Sequence, residues 1–582
     1  MVDVTIPGAG GGTVAITFTD TVAGAAAQTA LNGAPPAAVY TGTQPNPSTP
    51  TTIVFTDGTP PPPGTTILST ANTPVIVVDT TTTPIAIQGS GLDGQKVVAG
   101  SGGLNFSTGG GSATVVAAGG NNTLGTGTTD AAVSFTTGGG NDTIILFAGN
   151  ATVNAGDGAN FVGTLGSSTI TAGAGNDGIV AAGGNSTIQA GGGDNQVALS
   201  GGNNTLTAGA GSDTVLVSGG NNSVLAGAGD NLIGLQGGDN YAQTGTGNDT
   251  IVISTGANFV DVGSGNNFIG ITGGNSTITA AAGDDMIIAT GNNLLDVGNG
   301  NNAVLIAAGN NTLVGGTGND LAVVQGGNNL IDTGTGGDLV QLQAGNNTVT
   351  VGGTANIFLG AGTASVTQTG TGNVVIAGST GTLNFIGGSG AATIFGGSGS
   401  STIFGGSGTG YFQGGTDGNN SVTAAAGAST VQGGGAGDVL TAAGPVGDQL
   451  IAASGNTTLL AGTSTGDNLF FGANQASGTL SVQGGVGNDT FFAGRADATV
   501  FGGAGSDVFA FLQTATLNTG NTVIIQDFAL GVDRIALSGY GTGLDSVASN
   551  VTAAGATTLT LTDGTRIVLS GVQNQSTSTL LS

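Results

Sequence analysis

The chain contains no cysteine, histidine, tryptophan or glutamate. Without cysteine there are no disulfides and no thiol chemistry, and without histidine the usual zinc sites and imidazole acid–base catalysis are excluded. Cationic side chains are almost absent as well: Lys96, Arg495, Arg534 and Arg566 are the only basic residues. All 32 acidic residues are Asp, and the net charge is −28. That balance argues against nucleic acid and against anionic membrane surfaces, both of which would repel the chain. No apolar run is long enough to span a membrane, so no membrane insertion is expected. The first residues, MVDVTIPGAGGGTVAITF, lack a basic start and an apolar run and do not read as a secretory signal.

What is present is glycine, 119 residues of it, set in a nine-residue period that doubles to eighteen. Residues 201–218 read GGNNTLTAGAGSDTVLVS, and the following blocks are GGNNSVLAGAGDNLIGLQ and GGDNYAQTGTGNDTIVIS. A short fixed period of this kind means a solenoid in which each repeat contacts its neighbours. Glycine supplies positive φ, while Asn and Asp tolerate the left-handed region and bond nearby backbone, so the first six residues of a nonapeptide form a turn. The next residues are strand. Strand alternation sends Val215 and Val217 inward and Thr214 and Leu216 outward. The expected fold class is all-β: a parallel β-solenoid of about 18 residues per coil with a β-rich C-terminal cap.

The two edges of such a coil differ. One carries the pattern x-G-x-G-x-(D/N), with Asp142, Asp177, Asp213, Asp249, Asp285, Asp320 and Asp338 alternating with Asn195, Asn231, Asn267 and Asn302. The other carries G-G-N-N, with Asn204, Asn222, Asn293, Asn311, Asn329 and Asn347. The second edge predicts an asparagine ladder, each amide donating to one neighbouring coil and accepting from the other. Outward positions differ too. The strand after the first edge presents Val180, Leu216 and Val252, whereas the strand after the second presents Thr207, Gln243, Asp261 and Thr279. An outward apolar stripe marks a contact surface, against another copy or against the N-terminal piece.

Four segments are expected along the chain. Residues 1–95 are rich in Thr, Pro and Ala and form a small β unit or arm, with strands at Thr13–Phe18, Thr52–Phe55 and Pro74–Val78 and a stiff proline run at Pro60–Pro63. Residues 96–380 carry the Asn-rich solenoid, and 381–515 a second solenoid segment with a disturbed stretch near Pro445. Residues 516–582 leave the period, with strands at Asn521–Phe528, Arg534–Leu537, Thr557–Thr562 and Thr565–Leu569.

GGVGNDTFF at 484–492 and GGAGSDVFA at 502–510 fit G-G-x-G-x-D-x-U-x and resemble the calcium-binding nonapeptides of RTX (repeats-in-toxin) proteins. VIIQDFALGVDRIALSGYG at 523–541 resembles the capping segment that follows RTX β-rolls. The resemblance implies Ca²⁺ between adjacent turns, held by carboxylates and turn carbonyls. The implied positions are Asp489 and Asp507 with the turns of Gly485, Gly487, Gly503 and Gly505, and Asp527 and Asp533 in the cap. The looser repeats imply fewer or weaker sites along Asp142, Asp177, Asp213, Asp249, Asp285, Asp320 and Asp338, because an Asn amide brings no charge. Ala392 and Ser401 stand at ligand positions and imply no site. The family further implies secretion by a type I system of a Gram-negative bacterium and folding outside the cell.

The function expected is that of a secreted, non-catalytic structural protein. It would build a calcium-dependent surface layer, matrix or filament by self-association. An extracellular adhesin with a glycan- or ice-binding surface is the alternative. A polysaccharide-acting enzyme is remote, because the sequence shows no nucleophile–base constellation.

Overall fold

Glycine and Asx residues favour the turn, and the Thr, Val, Ile and Leu residues between them favour the strand. The chain therefore alternates short strands with tight turns throughout its repeats. The computed structural model describes residues 2–7, 13–35, 37–39, 51–57, 60, 65–66, 75–89, 93–128, 132–147, 150–454, 456–513, 520–541 and 543–581. It divides into two compact units, Met1–Ile287 with Gly291–Leu294, and Ile288–Thr290 with Leu295–Ser582.

In the first unit alternate strands build two parallel ladders. Sheet I contains Thr187–Gly192, Thr205–Ala210, Ser223–Ala228, Tyr241–Gln243 and Phe259–Gly263, each paired in parallel with the next. Sheet II contains Gly178–Ala182, Gln196–Ser200, Thr214–Ser218, Leu232–Gln236 and Thr250–Ile253, paired in the same way. Registry is in step with the repeat, so Val197, Val215, Ile233 and Ile251 form one column, and all four are buried. Val215 and Val217 point inward as expected, while Leu216 is 52% exposed. The all-β parallel solenoid of eighteen-residue coils is the fold observed.

The N-terminal segment adds an element that periodicity does not announce. Strands Val2–Pro7 and Thr13–Phe18 pair as an antiparallel hairpin, and a helix follows at Thr21–Leu31. Asp20 caps the helix, its carboxylate accepting from the amides of Val22 at 2.8 Å and Ala23 at 3.3 Å. At the other end the Lys96 ammonium donates to the Ala30 carbonyl at 3.0 Å, where a cation also complements the helix dipole. Helix and hairpin bury an outward column of sheet I, Val54, Val78, Val98 and Val116, which are register partners on successive strands. The column ends at Thr136, the partner of Val116 on the next strand. Gly24 allows the close approach: a Cβ there would lie 2.7 Å from Val2 Cβ. The N-terminal piece thus covers an apolar column of sheet I and leaves the sheet II stripe at Val180, Leu216 and Val252 exposed.

The expected strands at Thr13–Phe18, Thr52–Phe55 and Pro74–Val78 correspond to Thr13–Phe18, Thr51–Phe55 and Val75–Asp79. The second and third already run parallel in the ladder that includes Gln95–Ala99. Pro61, Pro62 and Pro63 of the expected proline run lie outside the described residues.

The second unit repeats the scheme with larger inward side chains, among them Phe385, Phe412, Phe470, Phe491 and Phe509. Its register continues past the last nonapeptide. Asp497–Phe501 pairs with Thr522–Ile525, and Val508–Leu512 with Arg534–Ser538. An antiparallel set, Val547–Ala553, Ala556–Leu561 and Arg566–Ser570, then closes on Thr522–Ile525. This covers a sheet edge that would otherwise present unpaired backbone groups.

Candidate metal centres in the Asx columns

Along both edges the side chain at the sixth position of a turn repeatedly accepts from the backbone of the preceding coil. On the asparagine edge, Asn222 Oδ1 accepts from the amide and Nδ2 of Asn204, both at 2.9 Å. Asn222 in turn donates both groups to Asn240 Oδ1, at 2.9 and 3.1 Å. The expected asparagine ladder is therefore present, and it recurs in the second unit from Asn311 to Asn329 and Asn347.

The other edge carries the same device, which the sequence pattern did not reveal. Asp213 Oδ1 accepts from Asn195 N at 2.8 Å and Asn195 Nδ2 at 2.9 Å. The Asp213 amide donates to Asn231 Oδ1 at 3.0 Å, and Asn231 donates to Asp249 Oδ1 at 2.8 and 3.0 Å. Asp249 continues to Asn267, and Asn267 to Asp285. Asn thus has a specific use between two Asp residues. It supplies a charge-assisted donor to one carboxylate and keeps two buried charges from stacking directly. A second column, at the exposed fifth residue of the turn, runs the opposite way: Ser212 N donates to Asp194 Oδ1 and Asn248 N to Asp230 Oδ1, both at 2.7 Å.

The second carboxylate oxygen is where the columns become chemically interesting. Oδ2 of Asp142, Asp177, Asp213, Asp249, Asp320, Asp338 and Asp507 is buried and has no hydrogen-bond partner. A buried oxygen without a donor carries its full desolvation cost. Burial accordingly raises the Asp177 carboxyl to about 6, and it pushes Asp142, Asp213, Asp320 and Asp338 up as well. Asp507 is raised to about 6 by burial first, and then by the neighbouring charges of Asp533, Asp489 and Asp527.

Turn glycines complete the setting. Gly211 has φ +131, and a Cβ there would lie 2.3 Å from the Gly193 carbonyl oxygen; Gly247 has φ +140 and would meet the Gly229 carbonyl at 2.2 Å. Successive turns therefore stack carbonyl against Cα, with no space for a side chain. Hard Ca²⁺ takes oxygen ligands of both kinds, carboxylate and carbonyl, and the uncompensated Oδ2 atoms fit it. Among the described residues no group of three or more acidic side chains could hold a metal ion by itself, so carbonyls would have to supply the remaining ligands.

The residues predicted to bind are not equivalent. Asp507 keeps one unpartnered oxygen, and Gly503 and Gly505 of its turn have φ +99 and +137. Asp489 does not: its Oδ1 accepts from Asn468 N at 2.8 Å and Nδ2 at 3.0 Å, and its Oδ2 from Gly485 N at 2.8 Å. Asp527 accepts Gly502 N and Gly503 N, one on each oxygen, both at 2.8 Å. Asp533 accepts Asp507 N at 3.0 Å and Ala529 N at 2.8 Å. Asp320 and Asp338 follow one another directly, Asp320 N donating to Asp338 Oδ1 at 3.1 Å. Ser401 keeps only the amide half of the ladder, its N donating to Asn420 Oδ1 at 2.8 Å, while its Oγ is buried without a partner.

Two column members went unseen in the disturbed stretch around Pro445. Asp438 accepts Asn420 N and Nδ2 on Oδ1, at 2.9 and 2.8 Å, and Gly434 N at 2.8 Å on Oδ2. Asp448 accepts Ser429 N at 2.8 Å and Ala443 N at 2.9 Å. The signal was there in the hydrophobic triplets that follow them, VLT at Val439–Thr441 and QLI at Gln449–Ile451.

Comparison with protein families matches both parts of the chain. The RTX calcium-binding nonapeptide repeat matches at residues 134–162, 160–188, 171–206, 199–233, 236–269 and 307–340. The serralysin C-terminal region of M10 peptidases matches at residues 343–562. No curated protein and no solved structure matches the chain. The repeats, the coil and the paired Asx columns agree with these matches: the chain belongs to the RTX calcium-binding β-roll family, whose cation is Ca²⁺ and whose members are secreted proteins.

Proposed function

We propose that this protein is a non-catalytic extracellular building block, exported by a type I system of a Gram-negative bacterium. It would self-associate into a calcium-dependent layer, matrix or filament. The observation that carries the reading is the set of large apolar side chains left outside on a regular ladder. In the first unit Phe161, Val180, Leu216, Leu232 and Val252 on sheet II are each 38–52% exposed. Sheet I adds Tyr241 and Phe259, 38% and 45% exposed, whose rings stack at 5.6 Å. The apolar outward positions are thus shared by both sheets and not confined to one. In the second unit Phe358, Ile386, Phe395 and Phe404 are 42–54% exposed. Apolar surface repeated at strand spacing is what a self-pairing face requires, and a net charge of −28 explains why a cation would be needed before copies approach.

Electron microscopy of the purified chain with calcium, and again with chelator, tests this. Ordered sheets or fibres that disperse on chelation are the expected result. Dispersed single molecules in both conditions would contradict it.

A second reading, glycan adhesion, is favoured by one observation. A groove of about 680 Å³ on the first unit is lined by Lys96, Thr114, Ser134, Thr152, Thr169 and Thr187. These are register partners across sheet I, so hydroxyls repeat at strand spacing, about 4.8 Å. Retention on a polysaccharide matrix that is lost in Thr152→Val with Thr169→Val would favour it.

A further inference from the structure

The nonapeptide turns adopt two conformations, and the carboxylate they enclose differs between them. In one, the fourth-position glycine is in the left-handed region, alone at Asp142 and Asp320 (Gly140, Gly318) and together with the second-position glycine at Asp213, Asp249 and Asp507, and the Asp has an oxygen without a donor. Asp213 has Gly209 at φ +113 and Gly211 at +131; Asp249 has Gly245 at +91 and Gly247 at +140; Asp507 has Gly503 at +99 and Gly505 at +137. The fourth-position amide is then committed elsewhere: Gly211 N and Gly247 N donate to carbonyls of the following coil, Ala228 O and Ser264 O, each at 3.0 Å. In the Asp507 turn the second-position amide is committed as well, Gly503 N donating to Asp527 Oδ2 at 2.8 Å, and Oδ2 of each of these three Asp residues is buried and bare.

In the other conformation the turn closes on its own carboxylate. Gly485 and Gly487 lie outside the left-handed region, and Gly485 N donates to Asp489 Oδ2 at 2.8 Å. Asp438 is closed in the same way by Gly434 N at 2.8 Å and Gly435 N at 3.1 Å. Asp448 is closed by Ala443 N at 2.9 Å. A carboxylate already accepting backbone N–H groups on both oxygens has its charge satisfied by the protein.

Building on the proposed role of these columns in calcium binding, we propose that turn conformation, not the nonapeptide motif, selects the carboxylates that take the ion. The open turns, exemplified by Asp213, Asp249 and Asp507, are calcium sites. The closed turns of Asp438, Asp448 and Asp489 are metal-independent locks in which backbone amides stand where the cation would be. Asp527 and Asp533 belong with the locks, since both oxygens of each accept from backbone amides. The motif and the site therefore part company at GGVGNDTFF, where the pattern is complete and the turn is closed.

Equilibrium dialysis of the full chain against calcium chloride, counting ions bound per chain, tests the assignment. Asp507→Asn and Asp213→Asn each lower the count by at least one, whereas Asp489→Asn leaves it unchanged and lowers only the melting temperature. Both kinds of variant keep Oδ1 for the ladder, and circular dichroism at saturating calcium checks that each is folded. Should Asp507→Asn fail to fold, Asp213→Asn decides. A loss at Asp489→Asn equal to that at Asp213→Asn or Asp507→Asn would overturn the two-state assignment while leaving calcium binding in place. A wild-type chain that binds no calcium would overturn both.

Discussion

The amide of Asn231 and its side-chain Nδ2 both donate to Oδ1 of Asp249, at 2.8 and 3.0 Å, one coil away. This single pairing explains why Asn and Asp alternate along the edge. An Asp at position 231 would offer no Nδ2 donor and would place a third consecutive carboxylate in the column between Asp213 and Asp249. Asn231→Asp is expected to lower the melting temperature in chelator and to recover most of the loss in calcium. Differential scanning calorimetry in both conditions measures it, and equal losses would argue against the charge-spacing role.

On the opposite edge no charge is involved. Asn222 is 3% exposed and exchanges hydrogen bonds with both neighbouring coils. Asn222→Ala leaves buried groups unpaired on both sides, at about 1–3 kcal/mol for each. Because coils contact only their neighbours, the damage stays local. Hydrogen exchange should accelerate at the Asn204 amide, which loses its acceptor, and change little ten coils away.

Gly211 tests the stacking of turns. Alanine there would combine φ +131 with a Cβ 2.3 Å from the Gly193 carbonyl. Left-handed strain alone costs about 1–2 kcal/mol, and the backbone collision adds to it. Gly211→Ala is expected to open a protease-sensitive point near residues 193–211, whereas Gly219→Ala, with nothing within 4 Å of its Cβ, carries strain alone and should be milder.

The raised carboxyls give a pH dependence whose sign depends on calcium. Burial raises Asp177 and Asp448 to about 6, above the ordinary carboxylate value of 3.8. Between those values the folded state holds protons that the unfolded state has released, so stability falls as pH rises. In chelator the protein should melt higher near pH 4 than near pH 7, with the change complete by about pH 6–7 for these groups. In excess calcium the Asp177 part of the trend should weaken or reverse, because the cation requires ionised ligands, while the part from Asp448, whose two oxygens accept backbone amides, should persist. Thermal melts across pH 4–7 with and without calcium measure both arms.

At the N-terminus, Val98 is fully buried under the helix Thr21–Leu31. Val98→Asp puts an unpaired charge into that contact and is expected to release the hairpin and helix while the ladder, held by backbone pairing, persists. Limited proteolysis would cut near Asp20 and leave the repeats intact.

The coil was legible because its cause is local: glycine, Asx and β-branched residues at fixed positions each favour what the fold needs. Val215 and Val217 inward and Leu216 outward follow directly from that. The helix was missed although Thr21–Leu31 carries five alanines behind the Asp20 cap, because the Thr- and Pro-rich segment around it favours strand and turn and the helix is held by packing on Val54, Val78, Val98 and Val116, which are distant in sequence. The same distinction holds at the metal centres. The positions of Asp489 and Asp507 were evident from the motif, but whether a carboxylate oxygen is bare depends on where turn amides point. That follows from glycine φ angles and from Asp527, an acceptor twenty residues beyond Asp507.

Titration calorimetry of the full chain with calcium at neutral pH, starting from chelator-treated protein, tests the central claim most directly. Saturable binding of several ions per chain, accompanied by a rise in melting temperature, is predicted. No binding up to millimolar calcium would contradict the account.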